Sequence, residues 1–510
     1  MVIKKLTRLP ISFSAFVGDL TMKNNEEIVK WLLPVFIGFA IRSSVLLHPH
    51  SGQAKPPMYG DYEAQRHWME VTTNLPVREW YLNTTDNDLN YWGLDYPPLS
   101  AYHSWAMGKI SEHLNPAWTS LFTSRGVETY DHKVFMRYTV LLADLLIFVP
   151  SVLYFFHKCL PRILSQSSVS PFYSCCLVFL YPGLILVDHG HFQYNCVSLG
   201  LFVAAVGLIL SDCDVLGTIL FCLALSYKQM ELYHALPLFF YLLGKCFRSS
   251  FTSGFFKLLY LSMTVSVTFT VIFLPFLSDT VVLHQVIRRI FPIARGLFED
   301  KVSNFWCCTS PFIKWKTVFT HLEQVRLCAV VVAFTCLPTC LALVVSPRKD
   351  KLLFSLAVCS MNFFLFSYHV HEKSILLVAV PALCLLPLCP ISSFLFSVAS
   401  VLSMWPLFLK DGLGLACLCT TVIYTVIGHV VIIRKTPGMA KSSKLLYSDI
   451  ALVCQLGGFA CLILAETFIT PPAAYPDIFA LAISIFSFVQ FSAFLLFWNV
   501  QCFGWKSKCM

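Results

Sequence analysis

Acidic, basic and aromatic side chains gather in four short segments of a chain that is otherwise rich in apolar residues. The segments read GDYEAQRHW (residues 60–68), YWGLDYPPL (91–99), RGLFEDKV (295–302) and HVHEKSILL (369–377). Carboxylates and histidines of this kind exchange protons with a substrate, and cations stabilise negative charge that develops during a reaction. One such segment is weak evidence, but four on one face of a protein predict a site.

Asp61 is the carboxylate whose position the sequence defines most tightly. It follows a Pro-Pro pair and Gly60, which together favour a tight and restricted backbone turn. A carboxylate held by a rigid turn at membrane depth is costly unless something uses it. The pattern therefore favours a functional role for Asp61 over a simple ion pair with Arg66 or another neighbour.

The residues that follow Asp61 predict a short amphipathic helix lying on the membrane face. Glu63, Arg66 and Glu70 are three and four positions apart, the spacing at which side chains on one helix face meet. We expect these three charges to pair with one another at the water interface, where such pairs contribute little to stability.

The composition predicts an all-α membrane protein that crosses the bilayer many times. Of the 510 residues, 57% are hydrophobic and 13% are charged, and apolar runs recur at the length that a helix needs to cross about 30 Å of hydrocarbon. The net charge of +9 comes from scattered basic residues rather than from a patch, so we expect membrane lipid and no nucleic acid as a partner. We predict fourteen spanning helices, near residues 31–47, 136–156, 172–187, 195–211, 214–228, 232–244, 255–276, 327–345, 352–368, 374–388, 391–409, 413–433, 448–465 and 478–498.

Basic residues between the apolar runs predict the orientation of the chain. With the N-terminus in the cytosol, most lysines and arginines of the interruptions fall on the cytosolic side. The opposite face then receives the four segments, within two long loops at residues 48–135 and 277–326 and a short turn near residue 371. The predicted division is a cytosolic tail, two transmembrane modules and a second cytosolic tail, at residues 1–30, 31–276, 277–498 and 499–510.

The four segments together resemble the dolichyl-phosphate-glucose-dependent glucosyltransferases of the endoplasmic reticulum, in the GT-C superfamily. HFQYN (residues 191–195) and YKQMELYHALP (227–237) add to the likeness, which covers residues 59–378 and thins after about residue 390. Gly60 and the LFEDKV stretch favour the members that add the first glucose to a lipid-linked nine-mannose oligosaccharide over those that add the second. The resemblance implies a GT-C fold in the endoplasmic reticulum membrane, with the active site facing the lumen.

The resemblance also implies the reaction and the roles of several residues. Glucose would pass from dolichyl-phosphate glucose to a mannose hydroxyl of a dolichyl-pyrophosphate-linked oligosaccharide, in an α-1,3 linkage and with inversion. A phosphodiester leaving group is already a stable anion and needs only cationic hydrogen-bond donors, whereas the attacking alcohol needs a base. Asp61 would then be the base, and the donor phosphate would contact His371, Arg295 and Lys373.

Other polar residues have two open interpretations each. The acidic side chains of Asp95, Glu299 and Asp300 either orient sugar hydroxyls or buttress the loops. The rings of Trp92 and Tyr96 either stack on sugars or anchor the chain at the membrane interface. A further set either lines the floor of the site or forms a satisfied polar cluster between helices: His189, His191, Gln193, Lys228, Glu231 and His234.

We expect neither an essential metal nor another cofactor. A monophosphate leaving group carries less charge to neutralise than the pyrophosphate that a DxD pair commonly holds through a cation. Asp212 and Asp214 match that spacing, but they fall in a predicted cytosolic turn, away from the four segments.

A transporter or channel is the alternative from another functional class. Transporters concentrate ionisable and helix-breaking residues near the middle of the membrane. In this chain such residues lie instead at one plane of helix ends and in the two long loops, which favours an enzyme.

The sequon Asn83-Thr84-Thr85 tests the orientation directly. If the first long loop faces the lumen, Asn83 is open to glycosylation, and Asn83→Gln should abolish any glycan-dependent shift in electrophoretic mobility. Labelling of a cysteine placed in this loop by an impermeant reagent applied from the cytosol would contradict the orientation.

Overall fold

The chain is helical almost throughout the residues that the computed structural model describes, which are 25–164, 168–292, 296–433 and 443–504. Within these ranges the only strand-like pairing is an isolated bridge between Phe298 and Val370. The prediction of an all-α protein is confirmed. Arg295 and most of the two predicted tails lie outside the described residues.

Each apolar run that the sequence predicts to span the membrane is helical. The bounds are Asn25–Val45, Tyr130–Ile163, Pro171–Phe192, Asn195–Leu210, Asp214–Tyr227, Leu232–Phe247, Phe251–Phe276, His321–Val345, Lys349–Phe366, Leu376–Cys384, Pro390–Lys410, Gly414–Ile432, Ser443–Phe468 and Ile478–Gly504. In the described part of the chain, nine of these helices are long and apolar enough to cross a membrane. The remainder are shorter or carry charges at one end, so the number of fourteen crossings stays a prediction.

The helices divide into a buried centre and an apolar outer layer. Asn195–Leu210 and Pro390–Leu402 are buried along almost their whole length. Phe251–Phe273 and His321–Val345 leave large side chains such as Phe255 exposed. Because an apolar surface of this extent does not face water in a stable protein, the outer helices lie against lipid.

An ion pair joins two of the membrane helices. The guanidinium of Arg42 donates from Nε to the carboxylate of Asp144 and from Nη1 to the carbonyl of Phe179, at 2.8 Å for the latter. His189 lies 3.0 Å from the same carboxylate. Both charges are compensated, which membrane burial requires.

The two long loops pack against each other as one folded unit. The first loop contains helices Gly60–Asn74 and Pro98–Leu114, and the second contains Thr280–Ile290. Their apolar side chains form a shared cluster: Trp68, Val71, Trp80, Tyr81, Leu94, Ala101, Phe276, Val282, Val286 and Ile290. The long loops therefore have their own hydrophobic core above the membrane helices.

The predicted helix after Asp61 is present, but its charges are not at a water interface. Arg66 is bound by Glu63 and Glu70, each at 2.6 Å, and all three side chains are 1% exposed or less. Ser124 accepts a further hydrogen bond from Arg66 at 2.5 Å. The prediction of mutual pairing is correct and the prediction of surface exposure is wrong, because residues near Trp118 fold over the helix.

Because this ion network is buried, removing one of its charges should destabilise the fold. Taking away one member of a buried ion pair leaves the others uncompensated and typically costs about 3–5 kcal/mol. We expect Arg66→Met to lower the free energy of unfolding by this order, measured by thermal or denaturant unfolding in detergent. The exposed pair of Lys109 and Glu112, at 2.9 Å, provides the control.

Glu112→Gln should change stability by less than about 1 kcal/mol, because solvent screens exposed pairs. Equal stability losses for Arg66→Met and Glu112→Gln would show that the buried network does not support the fold in the way described.

Candidate active site

A cavity of about 880 Å³ lies between the folded long loops and the helix ends beneath them. All four polar segments of the sequence contribute to its wall. The predicted residues that line it are Asp61, Trp92, Asp95, Tyr96, Glu299, Asp300, His371 and Lys373. The structure thus brings together the residues predicted for catalysis, sugar binding and the donor phosphate, except Arg295, which lies outside the described residues, in a space of the size typical of small-molecule sites.

A tight turn places Asp61 at the edge of this cavity. Tyr59 and Gly60 have φ values of +55° and +68°, a left-handed backbone that glycine adopts without strain. A Cβ atom on Gly60 would lie 2.7 Å from the backbone of Ser51, so the two chain segments touch closely. The turn opens helix Gly60–Asn74, and Asp61 lies in its first turn, where the helix dipole favours a negative charge.

The carboxylate of Asp61 is held by side chains from two distant parts of the chain. Its Oδ2 atom contacts Lys373 Nζ, His191 Nε2 at 3.0 Å and Gln193 Nε2 at 2.5 Å. Arg66, the neighbour considered as an alternative partner, instead binds Glu63 and Glu70. All three of these contacts end on Oδ2.

These contacts keep Asp61 ionised. Burial alone raises the pKa of its carboxyl, but the charges of Lys373 and His191 more than offset this effect and hold the pKa well below its usual range. The side chain is 21% exposed. Asp61 is therefore an anion over the whole physiological pH range.

Two aromatic residues connect the second segment to Asp61. Tyr96 donates a hydrogen bond to Oε1 of Gln193 at 3.4 Å, while Gln193 donates to Asp61. Trp92 donates from its indole nitrogen to the carbonyl of Met58 at 2.5 Å, next to the turn that carries Asp61. Both rings line the cavity, in positions suited to the flat face of a sugar.

Backbone contacts hold the second long loop, residues 277–326, against the HVHEK turn. The amide of His369 donates to the carbonyl of Leu297 at 2.9 Å, and Phe298 pairs with Val370. This pairing places Glu299 beside His371, with 2.7 Å between Oε2 and Nδ1. The two segments therefore act as one wall of the cavity, although about seventy positions separate them in sequence.

Three side chains on this wall have the donor types that metal ions accept. Glu299, His369 and His371 offer one oxygen and two nitrogens within 4.8 Å of one another, a mixed set that divalent transition metals tolerate. Nδ1 of His371 contacts Glu299, and Nδ1 of His369 contacts the carbonyl of Gly296 at 3.0 Å. The expectation that no metal is essential stays a prediction.

The DxD-like pair, Asp212 and Asp214, lies away from the cavity and is bound by lysines. Asp212 and Asp214 are bound by Lys245 Nζ at 2.8 and 2.7 Å, and neither lines the cavity. Lys257 and Lys349 add further contacts to them. The negative charge at this turn is thus compensated by lysines of neighbouring helices.

Glu372 is a further carboxyl group that lines the cavity. Burial raises the pKa of Glu372 to about 7, and the nearby charge of Asp300 adds to the increase. Asp300 lies 3.5 Å from Lys410. Glu372 belongs to the HVHEK segment. The sequence gives no sign of the burial that raises its pKa.

The structure separates the floor candidates into two groups. His191, Gln193 and Lys228 line the cavity, whereas His189 binds Asp144 and His234 binds Glu231 in the protein interior. Both interpretations of this set are therefore correct, each for different residues.

Sequence reasoning missed Lys410 and Asp411, which also line the cavity. Lys410 ends helix Pro390–Lys410 and Asp411 follows it, outside the four polar segments. The available signal is two adjacent charges at the end of a long apolar run, where ionisable residues are costly and commonly functional.

Comparison with known proteins identifies the family of this chain. A model of the ALG6, ALG8 glycosyltransferase family matches residues 27–497. A Gallus gallus protein named dolichyl pyrophosphate Man9GlcNAc2 alpha-1,3-glucosyltransferase is 45% identical over 503 residues, covering 94% of this chain and 98% of its own. A Dictyostelium discoideum protein named as a probable enzyme of the same kind is 48% identical over 408 residues, covering 78% and 77%. The chain belongs to the ALG6, ALG8 glycosyltransferase family.

Proposed function

We propose that this chain transfers glucose from dolichyl-phosphate glucose to a terminal mannose of dolichyl-pyrophosphate-linked Man9GlcNAc2, forming an α-1,3 linkage. The acceptor and the linkage follow from the names of the relatives, which match the chain over most of its length. The choice of donor rests on the sequence resemblance. Family membership supports a transferase over the transporter alternative.

The single observation that carries this proposal is the position of Asp61. It is an ionised carboxylate on a rigid turn, it faces a cavity, and cationic side chains surround it. An alcohol is a poor nucleophile until a base removes its proton. Asp61 supplies that base, and Oδ1 is the oxygen that receives the proton as the mannose hydroxyl attacks the anomeric carbon.

The leaving group is stabilised by basic side chains of the HVHEK turn. The phosphate that departs from the glucose carries its own negative charge, so hydrogen-bond donors suffice and no general acid is needed. Lys373 and His371 both line the cavity, two positions apart. A phosphate placed between them competes with Asp61 for Lys373, which would raise the basicity of the carboxylate when the donor is bound.

The sugars are oriented by the polar and aromatic groups around Asp61. Trp92 and Tyr96 present ring faces, while Asp95, Glu299 and Asp300 provide carboxylates along the same wall. Holding the hydroxyl, the base and the anomeric carbon in contact distance lowers the entropic part of the barrier. Direct attack in one step inverts the anomeric centre, from a β-linked donor to an α-linked product.

We place the cavity on the lumenal side of the endoplasmic reticulum membrane, with the tails and the basic turns in the cytosol. Asn83 is exposed on the first long loop, as a glycosylation site must be. The division into modules at residues 31–276 and 277–498 belongs to the same proposal. Its support is that each module contributes one long loop to the shared apolar cluster.

Asp61→Asn tests the function and the mechanism together. The amide keeps the shape of the side chain but accepts no proton, so turnover should fall by about a hundredfold or more while both lipid substrates still bind. The measurement is glucose transfer by purified protein in detergent, from dolichyl-phosphate glucose to the oligomannose lipid, with the product identified by mass.

Asp131→Asn is the matched control for this substitution. Asp131 also lies in the first turn of a helix, but it is exposed and does not line the cavity. The control should transfer glucose at the normal rate. An Asp61→Asn enzyme that keeps near-normal turnover would move the search for the base to Asp95, Glu299 or Asp300.

A further inference from the structure

Asp411 is a buried carboxylate that lies outside the four polar segments. It follows helix Pro390–Lys410, in the part of the chain where the sequence likeness thins, and its side chain is only 4% exposed. Its Oδ2 atom lies 2.5 Å from Nδ1 of His191. Because burying a carboxylate is unfavourable without a compensating partner, this contact is needed to keep Asp411 where it is.

His191 has a carboxylate on each of its two ring nitrogens. Nδ1 contacts Asp411, and Nε2 lies 3.0 Å from Oδ2 of Asp61. A partner on one nitrogen of an imidazole fixes the orientation of the ring and the proton that the other nitrogen carries. Asp411 therefore determines how His191 meets Asp61.

The backbone around both residues fixes this geometry. Gly412 has a φ of +73° and ends the helix, and the amide of Leu413 donates back to the carbonyl of Phe408 at 2.7 Å. A Cβ atom on Gly190 would lie 2.8 Å from the side chain of Leu413. The turn after Asp411 thus packs directly on the residue that precedes His191.

The other side of His191 is held as firmly. Its carbonyl accepts a hydrogen bond from the amide of Ser51 at 3.0 Å, and Ser51 touches the turn that carries Asp61. Arg137 donates to the carbonyl of Gly190 at 2.8 Å. His191 therefore connects the turn at Gly412 to the turn at Gly60. A change in the orientation of its ring would change its contact with Asp61.

We propose that Asp411 is a positioning residue for glucose transfer: through His191 it holds Asp61 in the orientation that accepts the proton of the acceptor hydroxyl. The proposal rests on the proposed function, because it takes Asp61 as the base. It assigns a role in the reaction to the C-terminal helices, which contribute few groups to the cavity wall.

The test compares kinetic constants of Asp411→Asn with those of the unaltered enzyme. The amide fits the same space but does not fix the ring of His191 in the same way, so kcat should fall about tenfold to a hundredfold. The KM for each lipid should stay within about twofold, since uniform substrate binding is not affected.

A double-substitution cycle distinguishes positioning from general support of the fold. If Asp411 acts through His191, Asp411→Asn should cause no further fall in kcat when His191 is already replaced in His191→Gln. Asp449→Asn is the control, because Asp449 forms a similar pair with His429 at 3.0 Å but neither residue lines the cavity. This control should keep its kcat.

Each result of this experiment is decisive. A normal kcat for Asp411→Asn, or an equal fall in the His191→Gln background, would overturn the proposal. If neither Asp411→Asn nor the isosteric Asp411→Leu accumulates as folded protein, the carboxylate serves the fold and the proposal also fails. The unaltered enzyme and Asp61→Asn are measured in parallel: an inactive unaltered enzyme, or an active Asp61→Asn, would refute the proposed function instead.

Discussion

The compensation of one partly buried carboxylate organises the candidate active site. Asp61 is 21% exposed and stays ionised only because Lys373 and His191 lie against it, and these partners are 312 and 130 positions away in sequence. A carboxylate withdrawn from water requires such partners. The contacts join the first long loop, the membrane helices and the HVHEK turn, and Asp61, His191 and Lys373 all line the cavity there.

The helix Gly60–Asn74 carries both a buried ion network and the residue at the edge of the cavity, Asp61. The side of Gly60–Asn74 that carries Arg66 and its two glutamates is sealed and fully paired, whereas the first turn opens into the cavity. Trp68 adds the helix to the core that the two long loops share. In the proposed reaction, the base must lie within contact distance of a hydroxyl, and a rigid support of this kind would hold it there.

The fold could be predicted largely from the sequence, because helices in hydrocarbon must satisfy their own backbone and are long and apolar. The tight turn at Gly60 could also be predicted, because a Pro-Pro pair followed by a glycine favours such a turn. Burial of Arg66 could not, because helical spacing shows which side chains meet but not what covers them. The contact of Asp411 with His191 spans 220 positions, and local patterns carry no information about such pairs.

The central claim is that Asp61 serves a single direct displacement at the anomeric carbon of the donor glucose. The configuration of the new bond tests this most directly, because one displacement inverts the centre and two displacements, through a covalent glucosyl-enzyme, retain it. The measurement is nuclear magnetic resonance of the glucosylated oligosaccharide made by purified protein from β-linked dolichyl-phosphate glucose. The account predicts an α-linked glucose, and a β-linked glucose would contradict it.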